Sequence, residues 1–260
     1  MKIKKAQPIS STLARATKIL EFISEKQPVT ASEIHVALGV TKGSIYHVLS
    51  SLEMLDYVRK EKNAYYLTFK LYAMGQTVPM ALDFIQVARP FMKKLAEKEN
   101  LNVYLAVPDG LKMVGVSHII PPGPIRVAND FALTYKLHCT ASGKLWLSYL
   151  PKTRRESIYR QMCFEKVAEN TITNPARLER EIEKIAAQGY SQELMEHSSL
   201  INGVAAPILD HENIFIASLS AIGPTPVLTP DQLGRVGLSI MQAAKEISLR
   251  LGSQSSPPND

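Results

Sequence analysis

Between residues 30 and 55 the chain carries two short helical patterns that meet at a glycine, and this spacing limits the local fold more than any other feature. Thr30 and Glu33 stand three apart. At that spacing a hydroxyl and a carboxylate each satisfy a free backbone amide at a helix start. The helix that follows is expected to bury Ile34, Ala37 and Leu38 and to stop at Gly39, because glycine takes the left-handed backbone of a tight turn. Thr41 then stands where a residue caps a third helix, with Ile45, Val48, Leu49, Leu52 and Leu55 as its expected buried stripe. Upstream, Leu13, Ala16, Ile19, Leu20 and Ile23 recur at helical spacing and end before Pro28. Downstream, residues 57–59 and 65–67 read as two strands around a charged turn, 60–64. Three helices and a hairpin form a helix-turn-helix with a wing.

Charge is unevenly placed along the chain. Residues 1–70 hold eleven basic and six acidic side chains, a net +5 out of the chain's +6. A basic first segment joined to a near-neutral remainder points to a polyanion partner for the first alone. A solvated basic face explains the charge equally well. The 260 residues allow one or two domains. No apolar run is long enough to span a bilayer, and Lys2, Lys4 and Lys5 are not followed by the apolar stretch of a secretory signal. Cys139 and Cys163 are far apart and form no CxxC pair, so a reduced cytoplasm is the expected setting.

Residues 70–100 read as a helical connector, broken at Pro79 and again before Pro90. A different architecture begins at residue 101. Residues 103–107 and 111–120 read as strands joined through Pro108, Asp109 and Gly110, and 121–124 as a loop. Residues 142–150 and 178–188 read as helices, and 203–209 and 215–221 as strands joined through 210–213. A helix from Asp231 to about Leu251 closes the fold, and 253–260 form a polar tail expected to be disordered.

A recognition helix reads bases with residues near its first turn. Here those are Thr41, Lys42, Ser44, Tyr46 and His47, with Gly43 permitting close backbone approach. Arg59, Lys60 and Lys62 on the hairpin are placed to neutralise phosphates. Winged helices also serve as protein-binding modules, so that reading stays open. In the second part, Leu137-His138-Cys139-Thr140-Ala141-Ser142-Gly143-Lys144 enters a helix. Free amides at such a start form an anion site, while simple capping by Thr140 or Ser142 accounts for the same residues. Catalysis has little support. His138 and Cys139, adjacent on an extended chain, point to opposite faces. No glycine-rich phosphate loop, HExxH or paired metal-ligand spacing is present, and His118, His197 and His211 stand singly. No enzyme, metal or cofactor is expected.

These segments resemble the IclR family of bacterial transcriptional regulators over residues 13–252. The likeness includes Arg15-Ala16 with Ile19-Leu20, the 41–52 helix, and Tyr66-Leu67 followed by Leu71 and Gly75. It continues through residues 137–144, Gly189-Tyr190, Ala205-Ala206-Pro207-Ile208, Leu219-Ser220 and Gly223-Pro224. The resemblance implies an α+β chain: a winged helix-turn-helix in residues 1–69, a helical linker in 70–100 and a GAF-like α/β effector-binding domain in 101–252. It implies double-stranded operator DNA as partner, with Arg15 added to the DNA-facing set, and a homodimer or homotetramer. It further implies a small organic acid held by Val127, Thr140, Ala141, Ser142, Glu193, Ile201, Gly203, Ser220 and Ile222. Repression of a catabolic operon is the expected output, activation the alternative. This chain departs from the family pattern at several of these positions. Gly43 and His47 stand where serine and arginine are common, Glu193 where aspartate is usual, Leu200 where glycine is, Gly203 where cysteine often is, and Ile222 where a polar residue often is. The room left by Gly203 points to a sugar acid or an aromatic acid.

Overall fold

A computed structural model describes residues 10–77, 84–122 and 134–253. Pro79 and Val127 lie outside them. The chain divides into two compact units, with the boundary between Ala81 and Leu82.

The first unit begins with α1 (Ser11–Lys26), β1 (Val29–Thr30) and α2 (Ala31–Leu38). It continues with α3 (Lys42–Met54), β2 (Val58–Glu61), β3 (Ala64–Leu67) and α4 (Phe69–Thr77). The capping box forms: the Thr30 amide donates to Glu33 Oε2 at 2.7 Å, and the Glu33 amide to Thr30 Oγ1 at 3.3 Å. Gly39 ends α2 with φ 63°, the left-handed turn that lets α3 cross α2. Ile19, Ile23, Ile34, Ile45, Val48, Leu49, Leu52 and Val58 close the core. Three expected core positions lie where the core does not reach. Leu55, just past the last turn of α3, is exposed, as are Leu13 at the first turn of α1 and Ala37 on the outer side of α2. Thr41 holds the N-cap position of α3 without a side-chain capping bond. The hairpin is tighter than expected, a two-residue turn at Lys62 and Asn63, and its second strand also pairs with β1.

The second unit contains α5 (Phe84–Glu99), β4 (Asn102–Asp109), β5 (Lys112–Ile119), β6 (Thr134–Lys136), α6 (Ala141–Ser148) and α7 (Lys152–Tyr159). It ends with α8 (Pro175–Gln188), β7 (Ser191–Leu194), β8 (Ile201–Leu209), β9 (Phe215–Pro224) and α9 (Pro230–Arg250). The helix expected to break before Pro90 runs through it. Proline removes one helical hydrogen bond, to the carbonyl of Gln86. Gln86 and Pro90 both face outward, while Ala88, Met92, Leu95 and Ala96 on the other side are buried, and that packing keeps the helix whole. Proline is likewise tolerated in β4: Pro108 pairs with β5 only, because β9 leaves the strand at Ala106. The turn between β4 and β5 is therefore Gly110-Leu111, with Gly110 at φ 60°.

The six strands form one antiparallel sheet in the order β6-β5-β4-β9-β8-β7. One face packs on α5 and α9 through Val103, Leu105, Val204, Ala206, Leu219 and Ala221. The other faces α6, with α7 and α8 outside it. Every residue from Ala141 to Leu147 is buried, so α6 is an interior helix. Ser253, expected in the free tail, is instead buried and donates to Asn213 Oδ1 at 2.7 Å.

The entry to α6 leaves no space at Gly143. A Cβ there would lie 2.5 Å from Leu137 Cα and 2.6 Å from its carbonyl oxygen, backbone atoms that cannot turn aside. Gly143→Ala is expected to cost about 3 kcal/mol or more of second-unit stability. Unchanged urea unfolding followed by Trp146 fluorescence would contradict this account of the packing.

Candidate functional site

The first unit presents the start of α3. Thr41, Lys42, Gly43, Tyr46 and His47 are exposed along one side, and Ile45, Val48 and Leu49 are buried along the other. A Cβ at Gly43 would meet nothing within 4 Å. Packing therefore does not demand glycine there. Ser44 is half-buried and accepts from Arg15 Nη1 at 2.5 Å. Arg15 thus acts across the unit as a strut from α1 to the first turn of α3. On the hairpin, Arg59, Lys60 and Lys62 are exposed. Arg59 pairs with Glu61 and lies 4.7 Å from the Tyr66 ring centre; Lys60 is 5.6 Å from that of Tyr65. Strand aromatics therefore aim the hairpin cations, and Glu61 partly offsets Arg59.

In the second unit the α6-facing side of the sheet is polar at its centre. Strand register places Ser191, Ala205, Ser220, Tyr104 and His118 in one row across it, and Glu193, Gly203, Ile222 and Asn102 in the next. Ala205 shares a buried cluster with Ala141 and Leu145 of α6, and Glu193 accepts from the Ala141 amide, which ties these rows to the start of α6. Ile201 continues the same face of β8 beyond Gly203. Of the nine expected effector residues, Thr140, Ala141 and Ser142 form the helix start, Glu193 bonds to it with Gly203 and Ile222 in its row, Ser220 lies in the adjacent row, Ile201 lies farther along β8, and Val127 lies outside the described residues.

Two amides of that helix end, those of Ala141 and Gly143, already have internal partners. The Gly143 amide donates to Thr140 Oγ1 at 3.2 Å, and Thr140 Oγ1 donates to the Lys136 carbonyl at 2.7 Å. The Ala141 amide donates to Glu193 Oε2 at 3.4 Å, and the His197 amide to Glu193 Oε1 at 3.3 Å. Capping by Thr140 is therefore real, and a carboxylate of the protein stands beside it. Glu193 is 2% exposed, and burial pushes its carboxyl up to about 8 against the pull of Lys144. A Cβ on Gly203 would sit 3.5 Å from Ile222 Cγ1 and 3.6 Å from Glu193 Oε2. The room left by the glycine is thus bordered by Glu193 and Ile222.

Behind this end, Lys144 is fully buried and pairs with Glu196 and, at 3.6 Å, with Glu181. Cys139 lies 3.8 Å from His197 Nδ1, whereas His138 bonds the Glu165 carbonyl at 3.0 Å. The expected extended geometry of this dipeptide gives way to a turn. Burial pushes the Cys139 thiol up to about 12 and depresses both imidazoles, so none of the three is charged near neutrality. A neutral thiol is a poor nucleophile. Among the described residues no cluster of His, Cys, Asp and Glu is arranged to hold a metal.

Several side chains of this face were not singled out from the sequence. Tyr104 is buried, accepts from Asn102 Nδ2 at 3.2 Å and stacks on His118. The Ser191 hydroxyl is buried without a hydrogen-bond partner among the described residues, as is that of Tyr135. Period-two alternation along residues 102–105 was the available signal: Asn102 and Tyr104 against Val103 and Leu105.

A winged helix-turn-helix followed by a separate unit built on one antiparallel sheet defines the class: a DNA-binding transcriptional regulator of two units. Family comparisons agree. Residues 12–62 match the IclR helix-turn-helix domain, and residues 76–249 match the bacterial transcriptional regulator IclR C-terminal domain. The chain belongs to the IclR family, whose members are transcriptional regulators and not enzymes. It is 27% identical over 244 residues to the HTH-type transcriptional regulator KipR of Bacillus subtilis, covering 94% of this chain and 98% of that one. The crystal structure of the Thermotoga maritima IclR superposes with a TM-score of 0.73 at 28% identity, over 93% of this chain and 98% of that one. An IclR homologue from Microbacterium hydrocarbonoxydans, crystallised with 4-hydroxybenzoate, shares the fold. Its TM-score is 0.73 at 23% identity, over 93% and 99% of the two chains.

The buried pair supplies a stability test. Lys144→Met leaves the Glu196 carboxylate buried without its cation and is expected to cost ~3–5 kcal/mol. The double change Lys144→Met with Glu196→Leu should recover most of that loss. Two equally destabilised proteins in urea titrations would show that the ion pair is not what the interior depends on.

Proposed function

We propose that this regulator binds double-stranded operator DNA through α3 and the hairpin, and that a small organic acid held at the start of α6 controls that binding. The observation that carries the DNA reading is the two-sided packing of α3. Its apolar stripe is locked into the core while Lys42, Tyr46 and His47 project outward around the open backbone at Gly43. Side chains at a helix start reach base edges and phosphates in the major groove. Arg59, Lys60 and Lys62 supply sequence-independent phosphate contacts, and Arg15 positions α3 through Ser44. The competing reading, a protein-binding module, lacks a comparable observation.

For the acid, the support is that Glu193, with Gly203 and Ile222 in its row and Ser220 in the next, lies against the helix start formed by Thr140, Ala141 and Ser142, where backbone amides favour an anion; Ile201, farther along β8, completes the set. Tyr104, Asn102 and His118 on the same face offer hydrogen bonds to the far end of a ligand. They suit a sugar acid or a hydroxylated aromatic acid, and a relative of this fold carries the latter kind of molecule. Val127 is assigned to the effector set on family resemblance alone.

We read the output as repression of a catabolic operon, in the cytoplasm. Exposed Phe69, Tyr72 and Met74 on α4 support self-association into a dimer or tetramer, whose two-fold symmetry would match a palindromic operator. The acid must bind one arrangement of the assembly more tightly than another to shift DNA occupancy.

Lys42→Ala and Tyr46→Ala should each weaken operator binding roughly tenfold, and Lys42→Ala should lower the salt slope by about one. Gel shifts across salt concentrations measure both. Affinity that ignores salt would remove DNA from the function. In calorimetry, Ser142→Leu and Ser220→Leu should abolish acid binding while leaving DNA binding intact; normal acid titrations in both would move the pocket elsewhere.

A further inference from the structure

The reading of an acid site raises a charge problem that Glu193 makes acute, and the inference below rests on that reading. An acid anchored by the first amides of α6 would bring its carboxylate beside the one already there. Glu193 is 2% exposed, and its two oxygens accept from the Ala141 amide at 3.4 Å and the His197 amide at 3.3 Å. Two carboxylates sharing so small and dry a space do not both stay ionised, because their repulsion is unscreened there. Independent features mark the same face as a ligand surface. Ser191 is fully buried with a hydroxyl that has no hydrogen-bond partner among the described residues. Its neighbour across Ala205 is Ser220, 3% exposed. These hydroxyls lie one row from Glu193, on the side facing α6.

We propose that Glu193 is the specificity-determining carboxyl of the effector site, and that an acid effector is bound there together with one proton held on Glu193. The protonated carboxyl donates to the effector carboxylate, and the Ala141 amide is shared between them. The proton comes from solvent and stays on Glu193, so no other group need change. A carboxylate effector is then read only when Glu193 is neutral, and the site responds to acid concentration and pH jointly.

The surroundings allow this proton to be followed. Facing Glu193 are Lys144 from α6, Cys139 from the turn before it, and Glu196 and the His197 amide from the segment after β7. Glu181 of α8 acts through Lys144. Gly203 and Ile222, from β8 and β9, bring no charge. Burial pushes Glu193 up to about 8, sends Cys139 up to about 12 and depresses the imidazoles. Near pH 8 the thiol and both imidazoles are therefore silent. Glu196, also raised by burial, is committed to Lys144.

The test uses the full chain with gluconate and benzoate as probes for the two acid classes, titrated calorimetrically between pH 6 and 9.5 in buffers of different ionisation enthalpy. Affinity should be level up to about pH 8 and then fall, approaching tenfold per pH unit. At pH 9 close to one proton should be taken up per acid bound. Glu193→Gln, which keeps the shape and a donor without a titrating proton, should bind with no slope and no uptake. A level profile without proton uptake in the unmodified protein overturns the inference while leaving the acid site standing. The same slope persisting in Glu193→Gln also overturns it. If neither acid binds at any pH, the acid-effector reading itself fails, and the inference with it.

Discussion

Burying α6 whole is the constraint on which the second unit depends. A helix with one wet side leaves its charged residues and end groups to water, but α6 has no wet side from Ala141 to Leu147. Every polar group it carries must be answered from within the protein, because an unanswered one costs on the order of 1–3 kcal/mol. Lys144 is answered by Glu196 and Glu181, the Gly143 amide by Thr140, and the Ala141 amide by Glu193. Gly143 is required because Leu137 backbone lies against it. The same pressure that closes the structure makes its helix end a chemically selective place. Donors and acceptors there are few, fixed and poorly screened.

The first unit answers a different demand. It is small, and its core of isoleucine, leucine and valine is contributed by three helices and a hairpin that each bury one side only. The outward side of α3 is thereby free to carry polar residues at no cost to the core. Arg15 links the two requirements: it belongs to α1, yet its guanidinium holds Ser44 at the end of α3 where contacts with another molecule would be made.

Much of this was legible in the residues. The capping box at Thr30 and Glu33, the left-handed Gly39 and the apolar stripe of α3 are local signals, written in spacing and backbone preference, and they appear as read. The four long strands of the second unit, β4, β5, β8 and β9, were visible as apolar and β-branched runs. What failed lay at element edges and in short pieces. Leu55 and Ala37 have the apolar character of core residues but project past the packed surface. The three-residue strand β6 and the four-residue strand β7 are too short to show a pattern, and they exist because neighbouring strands offer them a ladder. Pro90 reads as a break because proline loses a hydrogen bond, and the sequence does not reveal that its helix is held by burial on the opposite face.

The sequence by itself determined the family, the two-part organisation and the residues placed at the start of α3 and the start of α6, because these rest on local spacing and on recurring motifs. Only the tertiary structure decided what those residues meet. It set Glu193 against the Ala141 amide across 52 positions of chain, paired Cys139 with His197 rather than His138, and aligned Asn102, Tyr104, Ser191 and Ser220 on one face. Strand register and the burial of α6 make these contacts. Both are products of long-range packing, which no local spacing encodes.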